Sequence, residues 1–263
     1  MAQTLRIKTA GGLTKMTLSP RCRKSDGYQS RREKHNMSSA AQKYINGRAQ
    51  RSQLEFLLAA NVKPGYWFLV LTYDDAHLPT SWDAADRAMK SFCRKLRESR
   101  RPEKTLYFYN VERCHYSDRP DDCHRWHHHI ILSGDIPLSF IREIWGRGLV
   151  FDKRIKLDPD HTYGSLASYM LKESNEFPGK RGWRSSRGLA KPDEDVIIVP
   201  DDYVIEQPEG ANVMVLEAPE VSQTVYGRLQ KIKFQVLDGY KNPVIQSVKR
   251  KRRNRRAKQR AAT

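Results

Sequence analysis

The side chains best equipped for chemistry are three consecutive histidines, His127-His128-His129, preceded by Trp126 and followed by Ile130-Ile131-Leu132 and Ser133-Gly134. An aromatic residue, a β-branched apolar run and a Ser-Gly turn signal predict a short buried strand. Alternate side chains of a strand share a face, so His127 and His129 point one way and His128 the other. Two imidazoles one pleat repeat apart can hold a metal ion between them, and histidine is the commonest metal-ligating side chain. The bland alternative is a histidine-rich surface strand, or a core histidine satisfied by its neighbours. A second pair, Tyr169 and Lys172, lies on a helix expected over 162–173. That spacing puts the phenol and the ammonium on one helical face. A tyrosine at an apolar helical position is ordinarily core, so this pair gains meaning only beside the histidine strand.

Other elements must position these groups. The continuous apolar run 66–73 predicts a central strand covered on both faces. Asp74 and Asp75 end it as a turn cap. A helix over 83–100, begun by Ser81 or Asp83, carries Ala85, Met89, Phe92 and Leu96 on one face. Strands are expected over 105–112, 126–133 and 149–156, with a polar loop at 113–124 and a short helix at 140–145. Upstream, Ser38 or Ser39 caps a helix running to about residue 60, with Tyr44, Ile45, Leu54, Leu57 and Leu58 as its apolar positions. Beyond Pro192 the pattern turns to short β segments at 196–199, 213–216 and 232–237. The expected division is a flexible basic arm (1–37), a main domain (38–192), a small β-rich extension (193–248) and a basic tail (249–263). The tail contains Lys249, Arg250, Lys251, Arg252 and Arg253 and must be solvated or lie on a polyanion.

The formal net charge of +18 over 263 residues implies a polyanionic partner, most often nucleic acid. No amphipathic basic helix with a continuous apolar face, signal-peptide core or membrane-length run is evident, so the expectation is a cytoplasmic protein without membrane association. Four scattered cysteines without a C-x-x-C pair argue against a disulfide framework.

Taken in order, Leu69-Val70-Leu71-Thr72-Tyr73-Asp74-Asp75-Ala76-His77-Leu78-Pro79, then His127-His128-His129-Ile130-Ile131-Leu132, then Ser168-Tyr169-Met170-Leu171-Lys172-Glu173, the chain resembles the HUH endonucleases of rolling-circle replication. The likeness is to single-tyrosine initiators of small phages and plasmids. It covers residues 66–192, and 181–187 is also similar to a segment that follows the tyrosine helix in bacterial relatives. The resemblance implies an α+β fold with a central antiparallel sheet flanked by helices, in an RRM-like arrangement. It further implies site-specific nicking and rejoining of single-stranded DNA through a 5′-phosphotyrosine on Tyr169. His127 and His129 would ligate Mn²⁺ or Mg²⁺, with Glu112 as the third ligand from the neighbouring strand. Lys172 would neutralise the phosphate or favour the phenolate. Arg181, Trp183, Arg184 and Arg187 mix an aromatic ring with guanidinium groups, as single-strand grooves do. The implied partners are a replication origin, a polymerase that extends the 3′-OH and a host helicase, since the chain has no G-x-x-x-x-G-K-[ST] stretch. The implied place of work, for a phage or plasmid product, is the bacterial cytoplasm. Family members with two tyrosines transfer strands within one site, and this chain has one in the Y-x-x-K slot.

Two rival readings come from other classes. Cys114-His115 and Cys123-His124 could form a small zinc loop, although adjacent side chains of an extended chain diverge. A non-catalytic basic nucleic-acid-binding protein would explain the charge, but not the three motifs in order.

Overall fold

The structure, a computed structural model, describes residues 2–21, 40–113, 125–172, 182–210, 212–224 and 227–237. Its elements in chain order are β1 (Gln3–Ala10), β2 (Leu13–Pro20), α1 (Ala40–Asn61), β3 (Trp67–Leu71), α2 (Trp82–Ser99), β4 (Tyr107–Arg113) and β5 (Trp126–Leu132). There follow α3 (Leu138–Trp145), β6 (Val150–Arg154), α4 (Gly164–Tyr169), β7 (Arg184–Ser185), β8 (Asp193–Val199), β9 (Val213–Thr224) and β10 (Gly227–Val236). The fold is α+β, with two antiparallel sheets of five strands each. Among the described residues no helix is long and apolar enough to cross a membrane.

The chain divides into two compact units. The larger comprises Ser38–Asp158 and Tyr163–Ala190 and holds the sheet ordered β6-β3-β5-β4-β7. Its apolar run β3 lies inside the sheet, between β5 and β6, and sends side chains to a core on either side. Leu69 and Leu71 join α2 and α3 through Met89, Phe92, Leu96, Ile141 and Trp145. Phe68 packs instead with Phe108, Ile131 and the α1 and α4 residues Leu54, Leu58 and Ala167. Burial of such side chains supplies roughly 1.5–3 kcal/mol each, which is what fixes the register of the histidine strand between β3 and β4.

Two expectations change within this unit. Only the C-terminal half of α1 packs: Leu54 and Leu58 are fully buried, whereas Tyr44 and Ile45 are exposed. Ser38 and Ser39, the expected caps, lie outside the described residues. The helix expected over 162–173 is confined to Gly164–Tyr169 and continues as hydrogen-bonded turns, with Leu171 N donating to Ser168 O and Lys172 N to Tyr169 O. The Met170 carbonyl is taken by the Asn110 side chain of β4. Elsewhere the sequence signals act locally as expected. Ser81 caps α2 by accepting from Ala84 N, and Asp74 caps a short 3-10 turn by accepting from His77 N.

The smaller unit, Met1–Met37 with Pro159–Thr162 and Lys191–Thr263, holds the sheet ordered β8-β1-β2-β10-β9. Within the flexible arm expected over 1–37, residues 3–10 and 13–20 are instead two paired strands, and 22–37 lie outside the described residues. Leu5 and Ile7 alternate with Arg6 and Lys8, and Met16 and Leu18 with Lys15 and Thr17, so one face carries a core while the other carries charge. Gly11 and Gly12 connect the strands with φ of +52° and +87°, the backbone that two-residue hairpin turns demand. A Cβ on Gly12 would stand 2.5 Å from the Val236 carbonyl.

Candidate metal centre and tyrosine

The antiparallel pairing of β4 and β5 sets Glu112 opposite His127 and Asn110 opposite His129, one pleat repeat apart on one face. Glu112 Oε2 lies 3.5 Å from His127 Nε2, and Glu112 Oε1 lies 3.5 Å from His129 Nδ1. The three ligand atoms fall within 4.8 Å of one another. Glu112 and His129 are buried and His127 nearly so. Burial raises the Glu112 carboxyl, but the contacts and charges of His127 and His129 outweigh it and hold it at about 2. It is therefore a carboxylate throughout the physiological range. His129 Nδ1 is buried without a hydrogen-bond partner. Leaving such an atom unpaired is costly, and a cation between it and the carboxylate would satisfy both. The cluster can hold a metal ion, and its donor set is two imidazoles and one carboxylate.

His128 faces the other way, as alternation requires. It is fully buried, and Tyr73 and Trp145 pack against it. Its Nδ1 donates to the Asn110 carbonyl at 3.3 Å, since a carbonyl can only accept, and its Nε2 then accepts from the Tyr73 hydroxyl at 2.7 Å. Burial pushes this imidazole down to about 3, so it stays neutral. Both nitrogens are occupied within the core, which leaves this histidine no role in metal binding.

Tyr169, the last residue of α4, comes to the face that carries the triad. Its ring centroid is 4.9 Å from that of His129 and 5.7 Å from Phe68, and the residue is 50% exposed. A core tyrosine would be covered; this one is held on one side by the histidine and open on the other. Lys172 follows on the turn beyond α4 and is exposed.

Asn110 is not among the residues that the sequence singles out, yet it ties these parts together. Its buried side-chain amide donates to Glu112 Oε1 and, at 2.6 Å, to the Met170 carbonyl, and its Oδ1 accepts from His129 N at 3.1 Å. One side chain thus orients a ligating carboxylate, fixes the backbone of a ligating histidine and anchors the residue after Tyr169. The only sequence signal for it is a polar residue inside an apolar strand.

The remaining residues expected at the site fall elsewhere. Arg184 on β7 reaches the buried Asp86 of α2, Nε to Oδ1 at 2.8 Å, and lies over the Trp82 ring. Asp86 also meets Lys90 at 2.7 Å and accepts from the Tyr109 hydroxyl at 3.3 Å. Arg184 is therefore committed to holding β7 against α2. Trp183 packs on the core near Phe108, with ring centroids 6.3 Å apart, and Arg187 is exposed. Arg181, the Cys114-His115 and Cys123-His124 pairs, and Lys249, Arg250, Lys251, Arg252 and Arg253 lie outside the described residues.

Compared with protein-family models, curated proteins and solved structures, the chain has no match.

Proposed function

We propose that the chain is a metal-dependent, site-specific nickase and ligase of single-stranded DNA, of the HUH type, that initiates rolling-circle replication. The observation that carries this reading is the half-exposed Tyr169 packed against His129 of a buried Glu112-His127-His129 cluster. A nucleophile beside a cation site is an arrangement that supports phosphodiester transfer. The phenolic Oη of Tyr169 attacks the scissile phosphorus and its electron pair makes the new P–O bond. The P–O3′ bond breaks, its electron pair leaves with the 3′ oxygen, and that oxygen is protonated while the phenolic proton passes to solvent. The products are a 5′-phosphotyrosine and a free 3′-OH, and the reverse transfer rejoins the strand.

Glu112, His127 and His129 would hold Mn²⁺ or Mg²⁺, a choice compatible with a mixed imidazole and carboxylate set. When bound, such an ion supplies Lewis acidity to a phosphate oxygen. Asn110 keeps the carboxylate and the tyrosine turn in register, and Lys172 would balance phosphate charge. With one tyrosine, a second transfer needs a second protomer or a second turnover. A polymerase and a helicase are the partners this chemistry calls on, in the cytoplasm of a bacterial host. Incubation with circular single-stranded DNA and Mn²⁺ should give a covalent protein–DNA adduct, absent with chelator and absent in Tyr169→Phe, which should still bind DNA. DNA binding without any adduct under these conditions would make the chain a non-catalytic nucleic-acid-binding protein instead.

A further inference from the structure

We propose that Phe151, with Leu149 beside it, forms a platform on which an unpaired base of DNA stacks next to the Glu112-His127-His129 cluster. That base belongs to the single-stranded substrate proposed above, on which the platform depends. The register of the larger sheet places these residues. Val70 of β3 lies opposite His129 of β5 and opposite Phe151 of β6, so the three form one row across the face that carries the cluster. The next row on that face is Ile131, Phe68 and Lys153. Leu149, two residues before Phe151, shares its face by alternation. Its carbonyl accepts from Thr72 N at 3.0 Å, which ties it to the end of β3.

The two rows are covered differently. Ile131 and Phe68 pack with α1 and α4 in one core. Phe151 is 56% exposed and Leu149 66%, and among the described residues neither belongs to a core. Exposed apolar side chains are ordinary when scattered singly. These two stand together, on the face to which the half-exposed Tyr169 is also held. The Phe68 ring centroid is 5.7 Å from that of Tyr169 and 5.5 Å from that of His129. Aromatic and apolar side chains thus continue from Tyr169 through Phe68 and Val70 to Phe151. Two strand spacings separate His129 from Phe151, about 10 Å in all. A DNA strand rises about 3.4 Å per nucleotide when stacked, so the base on Phe151 belongs within about three nucleotides of the scissile phosphate. A ring face takes any base, but only one that is free of a duplex stack. The competing occupant is a second copy of the chain. β6 is an edge strand, yet Asp152, Lys153 and Arg154 put charge along it, which blunts pairing with another edge. Lys153, on the face of Phe151, sets a cation beside the ring, the combination that single-strand grooves use.

The test is anisotropy of the full chain in chelator, with a short labelled oligothymidylate and with an abasic strand of the same length. Phe151→Ala should weaken oligothymidylate binding about 5- to 150-fold, the loss of one stacked base. The abasic strand, which keeps the phosphates, should bind as it does to the wild type. Phe151→Tyr should keep the affinity, whereas Phe151→Leu, with apolar bulk but no ring, should not. Unchanged oligothymidylate affinity in Phe151→Ala overturns the proposal, as does an equal loss on the abasic strand or full affinity in Phe151→Leu. A dimer in sedimentation that Phe151→Asp dissolves, with strand binding intact, would assign the patch to a second copy and overturn it as well. A wild type that forms no adduct with Mn²⁺, yet binds oligothymidylate through Phe151, would refute the nickase chemistry and not the platform. Adduct formation with an affinity indifferent to Phe151 would refute the platform alone.

Discussion

Asn110→Ala isolates the residue that joins metal ligands to tyrosine. Truncation removes the donor to Glu112 Oε1, leaves the Met170 carbonyl without that amide, and leaves His129 N without its acceptor. Both backbone groups are buried, and an unsatisfied buried group costs about 1–3 kcal/mol. The destabilisation should total roughly 2–5 kcal/mol. For a protein of this size each kcal/mol moves the melting point by about 2–4 °C, so a fall on the order of 10 °C is expected in chelator. Loss of a group that orients a ligand typically weakens metal binding about 10–100-fold. Thermal denaturation without metal, followed by calorimetric titration with Mn²⁺, reads the two effects separately. An Asn110→Ala protein that binds Mn²⁺ as tightly as the wild type would refute the positioning role, even if it were less stable. A variant as stable as the wild type would show that the two backbone groups find other partners.

Three other outcomes follow from the same geometry. His127→Ala and His129→Ala should each abolish Mn²⁺ binding by calorimetry, whereas His128→Ala should bind the ion but lose about 2–5 kcal/mol, from the void and the orphaned Tyr73 hydroxyl; an ion-binding defect in His128→Ala alone would reverse the assignment of faces. The His128 imidazole is held at about 3 in the fold, below its ordinary value near 6.5. The stability this neutral histidine supports is complete above about pH 6.5 and is lost as pH falls toward 3, by on the order of 1 kcal/mol per pH unit. Denaturant melts in chelator should show that slope in the wild type and not in His128→Gln, and equal slopes would exclude the assignment. Arg184→Ala should leave Asp86 buried with one cation fewer and cost a few kcal/mol of stability, on the scale of breaking a buried ion pair. Loss of single-strand binding without destabilisation in that variant would instead restore Arg184 as a DNA-binding residue.

Much of the site was legible because strand alternation is a rigid rule. Once 126–132 is a strand, His127 and His129 must share a face and His128 must oppose them. The placement of Glu112 followed from the resemblance, and the β4–β5 register supplies its physical basis. Asn110 was hidden because its partners come together only in the fold. The same holds for Asp86, a carboxylate on the apolar face of α2 whose Arg184 partner is remote in sequence. The N-terminal hairpin was obscured by its own charge. Lys8, Lys15 and Arg6 read as a solvated arm, while the alternation of Leu5, Ile7, Met16 and Leu18 and the Gly11-Gly12 turn carried the opposite message. The helix ending at Tyr169 was overextended because periodicity cannot register that a distant amide has claimed the carbonyl at its end.

The pairing of β2 with β10 has a consequence for synthesis. Translation delivers β1 and β2 first and β10 last among the strands of their sheet, so the hairpin leaves the ribosome long before its neighbours exist. A lone two-stranded hairpin is marginal in water, and the edge of β2 stays unpaired during that interval. The intervening unit, whose sheet draws only on Ser38–Asp158 and Tyr163–Ala190, can complete its core meanwhile. A chain that stops before Gly227 would keep an open strand edge permanently, with Lys15 on one side and Met16 on the other. Lys8 and Lys15, paired within the hairpin, would then act as gatekeepers beside that edge, holding nascent edges of neighbouring polypeptides apart until β10 arrives.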